Sequence, residues 1–438
     1  MNGCDIADAT LVHALARFTT LVNISSLALR GTNEIKHSIV ELVRTERFSN
    51  LTSLDLSSTH MDDEDIGELA RSPYMGKLAR IDLSTNNIRK SSMDIIVSSP
   101  NIHNLTHLNL SSTGVCDDCV MVLVHSSNLR TLAHLELRQN QVTVDGLKFI
   151  VESNQLTSLS TLDCIANNLK GSGSGIIGLH KQLGRSITSL NLASTGVNIT
   201  FLITVTGGCP RRMDLTSLDL SANSLESAGV EAVARSPYLQ NITSLNISAN
   251  DIGHQGVKTL AESLNFGKLT SLELSRNTIE DAGALILAQA SNFNQLKSLS
   301  LIGNRIGDEG ARALSQSSLL SSLTNLDLSI NRISSHGVTF LINSLVLFSK
   351  LTSLNLGYNR IRDEGTKAFA ESNVLSKLFS LGLEVNEIGD VGARALSESP
   401  FITNLTYLNL AYNQISVAGA NSLTNSRYMG RLTRLILN

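Results

Sequence analysis

The fold of this chain is decided by a short phrase that recurs along its length and is most regular at 323-LTNLDLSINRI-333. Leu323, Leu326 and Leu328 give the spacing LxxLxL, in which apolar and polar residues alternate as in a strand buried on one face. The phrase begins at sixteen anchors: Ile24, Leu51, Leu78, Leu105, Leu132, Leu159, Ile187, Leu215, Ile242, Leu269, Leu296, Leu323, Leu351, Leu378, Leu405 and Leu432. Twelve intervals between anchors are 27 residues long and three are 28. Such a regular period predicts a solenoid.

The second half of each repeat predicts a helix. Between Ile306 and Leu314 the apolar residues fall at helical spacing, and Asp308 and Glu309 lie where the helix would begin. Ten of the fifteen complete repeats carry glycine fourteen residues after the anchor, and we expect the missing side chain to let helix and sheet approach closely. Tight packing is not predicted for the early repeats, which carry Ser38, Asp65, Ser92 and Cys119 there.

A polar side chain recurs eight residues after the anchor. It is Asn86, Asn140, Asn167, Asn223, Asn250, Asn277, Asn304, Asn331, Asn359, Asn386 or Asn413, and in other repeats Thr32, Thr59, Thr113 or Thr195. At a fixed turn position, a short polar side chain satisfies backbone groups that the bend would otherwise bury unpaired. We therefore expect a structural ladder of these side chains.

The pattern LxxLxLxxNxI, followed by glycine and a helix, resembles the ribonuclease-inhibitor-like subclass of leucine-rich repeats. The resemblance covers about residues 24–438. It implies an α/β leucine-rich-repeat solenoid, a horseshoe of about 15–16 repeats with a parallel sheet on the concave side and helices on the convex side. We expect residues 24–438 to form this solenoid and residues 1–23 to form a helix that caps the first coil.

Composition narrows the class of protein. A net charge of −3 and 4% aromatic residues argue against a nucleic-acid-binding module, which would carry a basic stripe. Five scattered cysteines favour a reducing compartment. The N-terminus lacks the features of a secretory signal, and no apolar run is long enough to cross a bilayer. We expect a protein without membrane insertion, in the cytoplasm or, for a bacterial effector, secreted into a host cytoplasm.

Motifs for catalysis or cofactor binding are missing from the sequence. It contains no GxxxxGK[ST], HExxH or GxSxG segment, so neither an enzyme nor a cofactor is predicted. Cys116 and Cys119 have the spacing of half a zinc site, but no second pair lies at a suitable distance. We interpret them as surface or buried thiols and predict no metal site.

The regular pattern weakens between Leu159 and Leu215. This part of the chain contains the glycine-rich segment 171–175 and the segment 207–212, which includes Pro210, Arg211 and Arg212. Glycine and proline weaken the helical half of these coils. One interpretation is an irregular loop on the convex side, and the other is a hinge or docking loop that uses the two arginines.

A column of acidic residues is predicted on the inner face of the sheet, four residues after the anchors. Its acidic members are Asp55, Asp82, Glu136, Asp163, Asp219, Glu273 and Asp327. Stacked like charges are unfavourable unless they are solvated or countered, which favours a partner with a basic surface. The alternative is that Asp or Asn is simply common here in the resembled family, with Arg80, His134 and Arg138 in adjoining columns.

A second candidate site lies toward the C-terminal end. The inner face and its rim carry Ile302, Ile330, Tyr358, Val385, Tyr407 and Tyr412, where earlier repeats carry mostly Ser, Ala and Thr. Tyrosine is a frequent hot-spot residue, and an apolar patch on a surface usually marks a binding site. The alternative is that these side chains only pack on one another along the sheet.

The function that these features predict is a non-enzymatic scaffold that binds a folded protein partner on its concave face, as an effector or an intracellular adaptor. One alternative from the resemblance is a GTPase-activating protein of the leucine-rich-repeat type, although the acidic segment of that class is missing from this sequence. Another is the sensing module of a larger receptor or ubiquitin-ligase adaptor.

Overall fold

The computed structural model of this protein describes residues 24–31, 38–170, 187–197, 215–236 and 239–437. The chain divides into two compact units, Met1–Asp219 and Leu220–Asn438. Within the described residues of each unit, short strands follow one another in chain order as neighbours in a parallel sheet.

Unit 1 has eight described strands, each three residues long. The strands are β1 (Ser26–Ala28), β2 (Ser53–Asp55), β3 (Arg80–Asp82), β4 (His107–Asn109), β5 (His134–Glu136), β6 (Thr161–Asp163), β7 (Ser189–Asn191) and β8 (Ser217–Asp219). Its described helices are α1 (Ser38–Val43), α2 (Asp63–Arg71), α3 (Lys90–Ser98), α4 (Asp117–Val124) and α5 (Val144–Glu152). Equivalent repeat positions pair, as in Leu27 with Leu54 and Leu54 with Ile81.

Unit 2 repeats the same plan. Its described strands are β9 (Ser244–Asn246), β10 (Ser271–Glu273), β11 (Ser298–Ser300), β12 (Asn325–Asp327), β13 (Ser353–Asn355), β14 (Ser380–Gly382), β15 (Tyr407–Asn409) and β16 (Arg434–Ile436). Its described helices are α6 (Glu226–Arg235), α7 (Gly253–Glu262), α8 (Glu280–Gln289), α9 (Asp308–Ser315), α10 (Ser335–Ile342), α11 (Arg362–Glu371), α12 (Asp390–Glu398) and α13 (Val417–Thr424). The register is again residue for residue, as in Leu326 with Leu354.

The hydrophobic core of each unit lies between the sheet and the helices. Leu323, Leu326 and Leu328 are at most 2% exposed, which confirms the buried face predicted from the LxxLxL phrase. Short 3-10 turns lead into many strands and supply further core side chains. Among them Phe48, Phe266, Phe293 and Phe348 are buried in equivalent turns, a contribution that the strand pattern did not predict.

The asparagines eight residues after the anchor form the predicted ladder. The Asn277 side chain donates to the carbonyls of Ile247 (2.9 Å) and Leu274 (3.0 Å), and its oxygen accepts from the Asn250 N–H (2.9 Å). In unit 1, Thr59 donates its hydroxyl to the Leu56 carbonyl (2.6 Å), while its own N–H donates to Asn86 (3.2 Å). Threonine therefore keeps the bond within its repeat, and the asparagine of the next repeat supplies the bond between repeats.

A second ladder joins consecutive helices. Asp308 Oδ1 accepts from the N–H groups of Ser334 (2.8 Å) and Gly337 (3.0 Å) at the start of the next helix, α10. Asp390 does the same for Ser416 and Gly419, and the hydrogen bonds from Ser416 lower the pKa of this carboxyl. An aspartate in one repeat thus caps the helix of the next and satisfies N–H groups that a helix start leaves unpaired.

The glycine fourteen residues after the anchor makes room for this cap. A Cβ at Gly337 would lie 2.5 Å from Asp308 Oδ1 and 2.7 Å from Ile333 Cγ2. The close approach is therefore to the preceding helix and to the isoleucine of the turn, whereas the sequence led us to expect an approach to the sheet. In an early repeat without the glycine, buried Ser92 donates its hydroxyl to Asp63, so the polar replacement takes part in the cap.

The predicted α/β leucine-rich-repeat plan is confirmed for the described residues of both units. Residues 1–23, expected to form a capping helix, lie outside the described residues, as does Thr32. The same holds for residues 171–186 and 198–214, which contain the glycine-rich segment and Pro210, Arg211 and Arg212. The two interpretations of that region stay predictions.

Replacement of Asn277 by alanine is expected to lower the free energy of unfolding by about 2–4 kcal/mol, because it leaves several buried backbone groups without a partner. Asn277→Thr is the matched control. By analogy with Thr59, it keeps the bond to the Leu274 carbonyl and should lose less stability. Urea denaturation gives the free energy of unfolding of the wild type and the two variants, which should fall in the order wild type, Asn277→Thr, Asn277→Ala. Equal stability of the alanine variant and the wild type would contradict the ladder's importance.

Candidate functional site

The open face of each sheet is the side that carries the residues two, four, six and seven places after the anchors, here called positions 2, 4, 6 and 7. The strands alternate half-buried, buried and half-buried residues, as in Ser353, Leu354 and Asn355. The leucines point to the core, so positions 2 and 4 lie on the other side of the sheet. All residues predicted to bind a partner lie at positions 2, 4, 6 or 7.

The acidic column at position 4 has a structural role. Asp55 Oδ1 accepts from the Ser57 N–H (3.0 Å), Asp82 from Ser84 (2.8 Å) and Asp327 from Ser329 (2.8 Å). Asparagine makes the same bond, as Asn109 does with the Ser111 N–H (3.0 Å). Each side chain fixes the backbone just after its strand, which explains why Asp and Asn fill this column.

In unit 1 the chain supplies partners for several of these carboxylates. Arg30 Nε lies 2.6 Å from Asp55 Oδ2, and Arg138 Nε lies 2.9 Å from Asp163 Oδ2. A second Arg138 nitrogen lies 3.7 Å from Glu136. Asp82 accepts from the Asn109 amide (2.9 Å). These carboxylates are countered within the chain, so they give less support for a basic partner than their number suggested.

A histidine pair lies beside this column at position 2. His107 and His134 pair across β4 and β5, with ring centroids 4.0 Å apart and ring planes at 15°. Burial lowers the pKa of His107, and the positive charges of His134 and Arg80 act in the same direction. The two rings thus stack as neighbours on the face where sequence analysis noted Arg80 and His134 separately.

Position 7 has a left-handed backbone throughout the described repeats, with φ between 51° and 68°. Its residues are Gly31, Ser58, Thr85, Ser112, Gln139, Ala166, Ser194, Ala222, Ala249, Arg276, Gly303, Ile330, Tyr358, Val385 and Tyr412. This conformation costs a residue with a side chain about 1–2 kcal/mol, and it is least suited to β-branched residues. Ile330 and Val385 adopt it nonetheless.

The last four residues of this series stand in adjacent repeats. The N–H of Ile330 donates to the Gly357 carbonyl (2.8 Å) and that of Tyr358 to the Glu384 carbonyl (2.7 Å). Ile330 is 44% exposed, Tyr358 49% and Tyr412 75%. We call Ile330, Tyr358, Val385 and Tyr412 the apolar rim; Val385 is half-buried. These side chains remain largely open to solvent, so packing along the sheet covers only part of them.

The other two predicted patch residues are less available. Ile302, at position 6, is half-buried. Tyr407, at position 2, is also half-buried, and the Arg434 guanidinium lies over its ring at 5.6 Å from the centroid. The structure therefore brings Tyr407 to the opposite end of the strands from the apolar rim.

Phe379 was missed by sequence analysis. It is 49% exposed at position 1, where most repeats carry threonine. Those threonines donate to the previous repeat, as Thr406 does to the Phe379 carbonyl (3.1 Å) and Thr352 to the Thr324 carbonyl (3.2 Å). Phenylalanine gives up this bond and exposes a ring. The departure from the threonine column was the sequence signal.

Glu384, at position 6, was also missed. Its side chain lies over two glycines: a Cβ at Gly357 would be 2.3 Å from Glu384 Cδ, and one at Gly382 would be 3.2 Å from its Oε2. That Oε2 is buried and has no hydrogen-bond partner among the described residues. Burial raises the pKa of Glu384 above its usual range; a hydrogen bond from the backbone N–H of Glu384 itself acts in the opposite direction, and the negative charge of Asp327 raises the pKa further.

The repeats match a known family. Eight segments fit the family model described as "Leucine Rich repeat", at residues 49–70, 128–151, 213–234, 238–261, 268–288, 294–315, 349–370 and 402–423. These eight segments resemble leucine-rich repeats. A search of curated protein sequences gives no significant match to the chain.

Solved leucine-rich-repeat structures resemble this one. A TLR13–ssRNA13 complex aligns at 20% identity over 95% of this chain and 58% of that chain, with a TM-score of 0.56. An internalin (inlF) from Listeria monocytogenes aligns at 21% identity over 98% of this chain and 94% of that chain, with a TM-score of 0.45. The yeast Rad7 and Elc1 complex gives 14% identity, 97% and 86% coverage, and a TM-score of 0.47. At such identities the TLR13 likeness concerns the fold alone.

The described part of the protein lacks two further features, a metal-ligand cluster and a membrane-spanning helix. No cluster of three or more potential metal ligands occurs there. Cys116 and Cys119 are free thiols whose sulfur atoms lie 3.7 Å apart, and Cys119 is buried. Within the same residues, no helix combines the length and apolar character needed to cross a membrane.

Replacement of Ile330 by asparagine is expected to raise the free energy of unfolding by about 1 kcal/mol, because asparagine tolerates the left-handed backbone better than a β-branched residue. The mirror variant is Ala249→Ile, which places isoleucine at an exposed position 7 and should lower stability by about as much. Urea denaturation checks both. A loss of stability in Ile330→Asn would mean that Ile330 is held by packing within the chain.

Acid is expected to weaken unit 1 through His107. Its pKa is lowered in the fold from the ordinary value of 6.5, so the unfolded chain binds the proton more readily. The contribution of neutral His107 to stability is complete above pH 6.5 and is lost as the pH falls through its lowered pKa. His107→Ser should reduce the loss of stability between pH 7.5 and 5, measured by urea denaturation. His336→Ser, at an exposed histidine of α10 in unit 2, is measured alongside as the control.

Proposed function

We propose that this leucine-rich-repeat chain is a non-enzymatic scaffold that binds a folded protein partner on the open face of unit 2, between β11 and β15. The observation that carries the proposal is the apolar rim. Four apolar residues in adjacent repeats occupy a left-handed backbone position, and three of them are at least 44% exposed. Such residues lower the stability of the chain, because their backbone conformation is unfavourable and their apolar side chains stay exposed. A partner that covers these side chains would explain why they are present.

The surroundings of the rim support a docking site. Phe379 and Tyr407 lie at the start of β14 and β15, at the strand ends opposite to the apolar rim. Polar residues such as Asn355 and Asn409 lie between them. Aromatic anchors around groups that can form hydrogen bonds are characteristic of protein–protein hot spots. A framework fixed by side-chain ladders needs little ordering when a partner docks.

Charge favours a protein over a nucleic acid as the partner. At positions 2, 4, 6 and 7 from β11 to β15 the charged residues are Asp327 and Glu384, both acidic. Carboxylates repel a phosphate backbone and attract basic side chains. The repeat of β10 carries both Glu273 and Arg276 on this face, so Asp327 and Glu384 are the residues that support a basic partner surface in unit 2. We propose that the acids of unit 1 add long-range attraction at most, since the chain already counters several of them.

We also propose that the protein acts in the cytoplasm, as an intracellular adaptor or as an effector delivered into a host cytoplasm. Cys116, Cys119 and Cys164 are free thiols. Cys164 takes the place of a leucine in the core, and burial raises its pKa, which disfavours the reactive thiolate. A reducing compartment suits these residues.

Site-specific crosslinking tests the docking site. A photoreactive phenylalanine analogue placed at position 358 or 412 in the full chain is expected to form adducts with protein in a eukaryotic cell lysate. The matched control carries the analogue at position 259, which is partly exposed on α7 among the helices. Ile330→Asn in the same chain should reduce the adducts severalfold, because a hot-spot side chain is lost while stability is maintained.

Equal crosslinking at positions 358 and 259, or adducts that Ile330→Asn leaves unchanged, would contradict docking at the apolar rim. The thermal midpoint of each variant is measured alongside, so that a loss of adducts through unfolding is recognised.

A further inference from the structure

From β11 to β15, the open face of unit 2 carries two carboxylates, Asp327 and Glu384, between the apolar rim and the start of the strands. Asp327 uses one oxygen for the Ser329 N–H (2.8 Å) and the other for the Asn355 amide (3.0 Å). Glu384 differs, because its Oε2 is buried without a hydrogen-bond partner among the described residues. Asp327 is therefore part of the framework, whereas Glu384 keeps one acceptor, Oε2, without a partner among the described residues.

Gly357 makes room for this carboxylate, while Gly382 makes room chiefly for Asn355, since a Cβ there would lie 2.4 Å from Asn355 Oδ1 and 3.2 Å from Glu384 Oε2. Gly357 and Gly382 occupy positions that carry larger side chains in many repeats, such as Ser329 and Asn355. Any side chain at Gly357 would collide with the Glu384 carboxylate, since a Cβ would lie 2.3 Å from Cδ and 2.4 Å from Oε1. The glycines let the carboxylate lie low on the sheet, where it loses part of its hydration.

This arrangement lowers stability in the isolated chain. A carboxylate oxygen that loses water without gaining a hydrogen bond, as Glu384 Oε2 does, is unfavourable, and the negative charge of Asp327 adds to the effect. A cation brought by a partner would reverse the balance, since it would pair with Glu384 while apolar neighbours exclude water. Val385, in position 7 of the same repeat, and Tyr358, in position 7 of the adjacent repeat, are suited to that exclusion.

We propose that Glu384 receives an arginine or lysine side chain that the partner presents within an apolar surface, with the residues around the cation resting on Ile330, Tyr358 and Tyr412. The inference rests on the proposed function and specifies the chemistry of the partner. The occupant of this face is thus a protein segment in which a basic residue is flanked by apolar ones.

Selection from a phage-displayed library of random peptides tests this recognition on the full chain. Wild-type protein is expected to enrich peptides with arginine or lysine next to aromatic or aliphatic residues. Glu384→Gln should keep the apolar preference and lose the basic one. Glu384→Lys should select against basic residues and favour acidic ones. A Tyr358→Ser, Tyr412→Ser variant should enrich neither class.

Affinity measurements on an enriched peptide give the magnitude. Glu384→Gln is expected to weaken binding at pH 7.5 by about tenfold or more, as for a charge-assisted hydrogen bond. Wild-type affinity should fall as the pH is lowered through the raised pKa of Glu384, because the protonated carboxyl has no charge to offer. The Glu384→Gln complex should lack that pH dependence. Circular dichroism melts confirm that each variant is folded.

The outcomes separate the two proposals. Peptides that depend on Tyr358 and Tyr412 but show no basic preference, or that bind Glu384→Gln as well as wild type, would overturn the role of Glu384 and leave the docking face standing. Peptides that ignore both the tyrosine and the Glu384 substitutions would overturn both. Failure of wild-type protein to enrich any sequence would also contradict a preformed basic-residue site.

Discussion

The structure depends on one constraint: a chain that turns sharply after every three-residue strand must find partners for the backbone groups in each turn. The asparagine ladder meets it by letting one amide bond to its own repeat and to the repeat before, as Asn277 does. The bonds cross between repeats, so each coil is completed by its neighbour. The aspartate caps and the serine and threonine bonds extend the same solution to the helices and to the strand starts.

Much of this framework could be predicted from the sequence, because its signals recur at a fixed period. The buried leucines and the asparagine ladder were both evident from spacing. The aspartate caps were not: the acids at the helix starts indicated a favourable helix dipole, but one repeat does not show that Asp308 reaches Ser334 in the next. Contacts between repeats depend on how closely helices pack, and that distance is absent from a one-dimensional pattern.

The candidate site was predictable only in part. Ile330, Tyr358 and Tyr412 stood out because they replace small residues, but nothing in the sequence showed that position 7 has a left-handed backbone. Serine and alanine are the most frequent residues in that column and give no sign of the conformation. Glu384 and Phe379 were missed for a different reason. Each is a single departure from its column, and the importance of Glu384 comes from what lies beneath it, two glycines and an unpaired oxygen.

At position 7 the backbone conformation does not depend on which residue is present. Glycine, serine, arginine and tyrosine all adopt nearly the same φ there, so the scaffold, rather than the residue, sets the direction in which the side chain leaves the surface. Position 7 therefore presents one side chain per repeat from the same backbone conformation. A substitution at position 7 changes one contact side chain and leaves the backbone of the repeat as it is. New binding preferences can therefore arise through single substitutions during evolution.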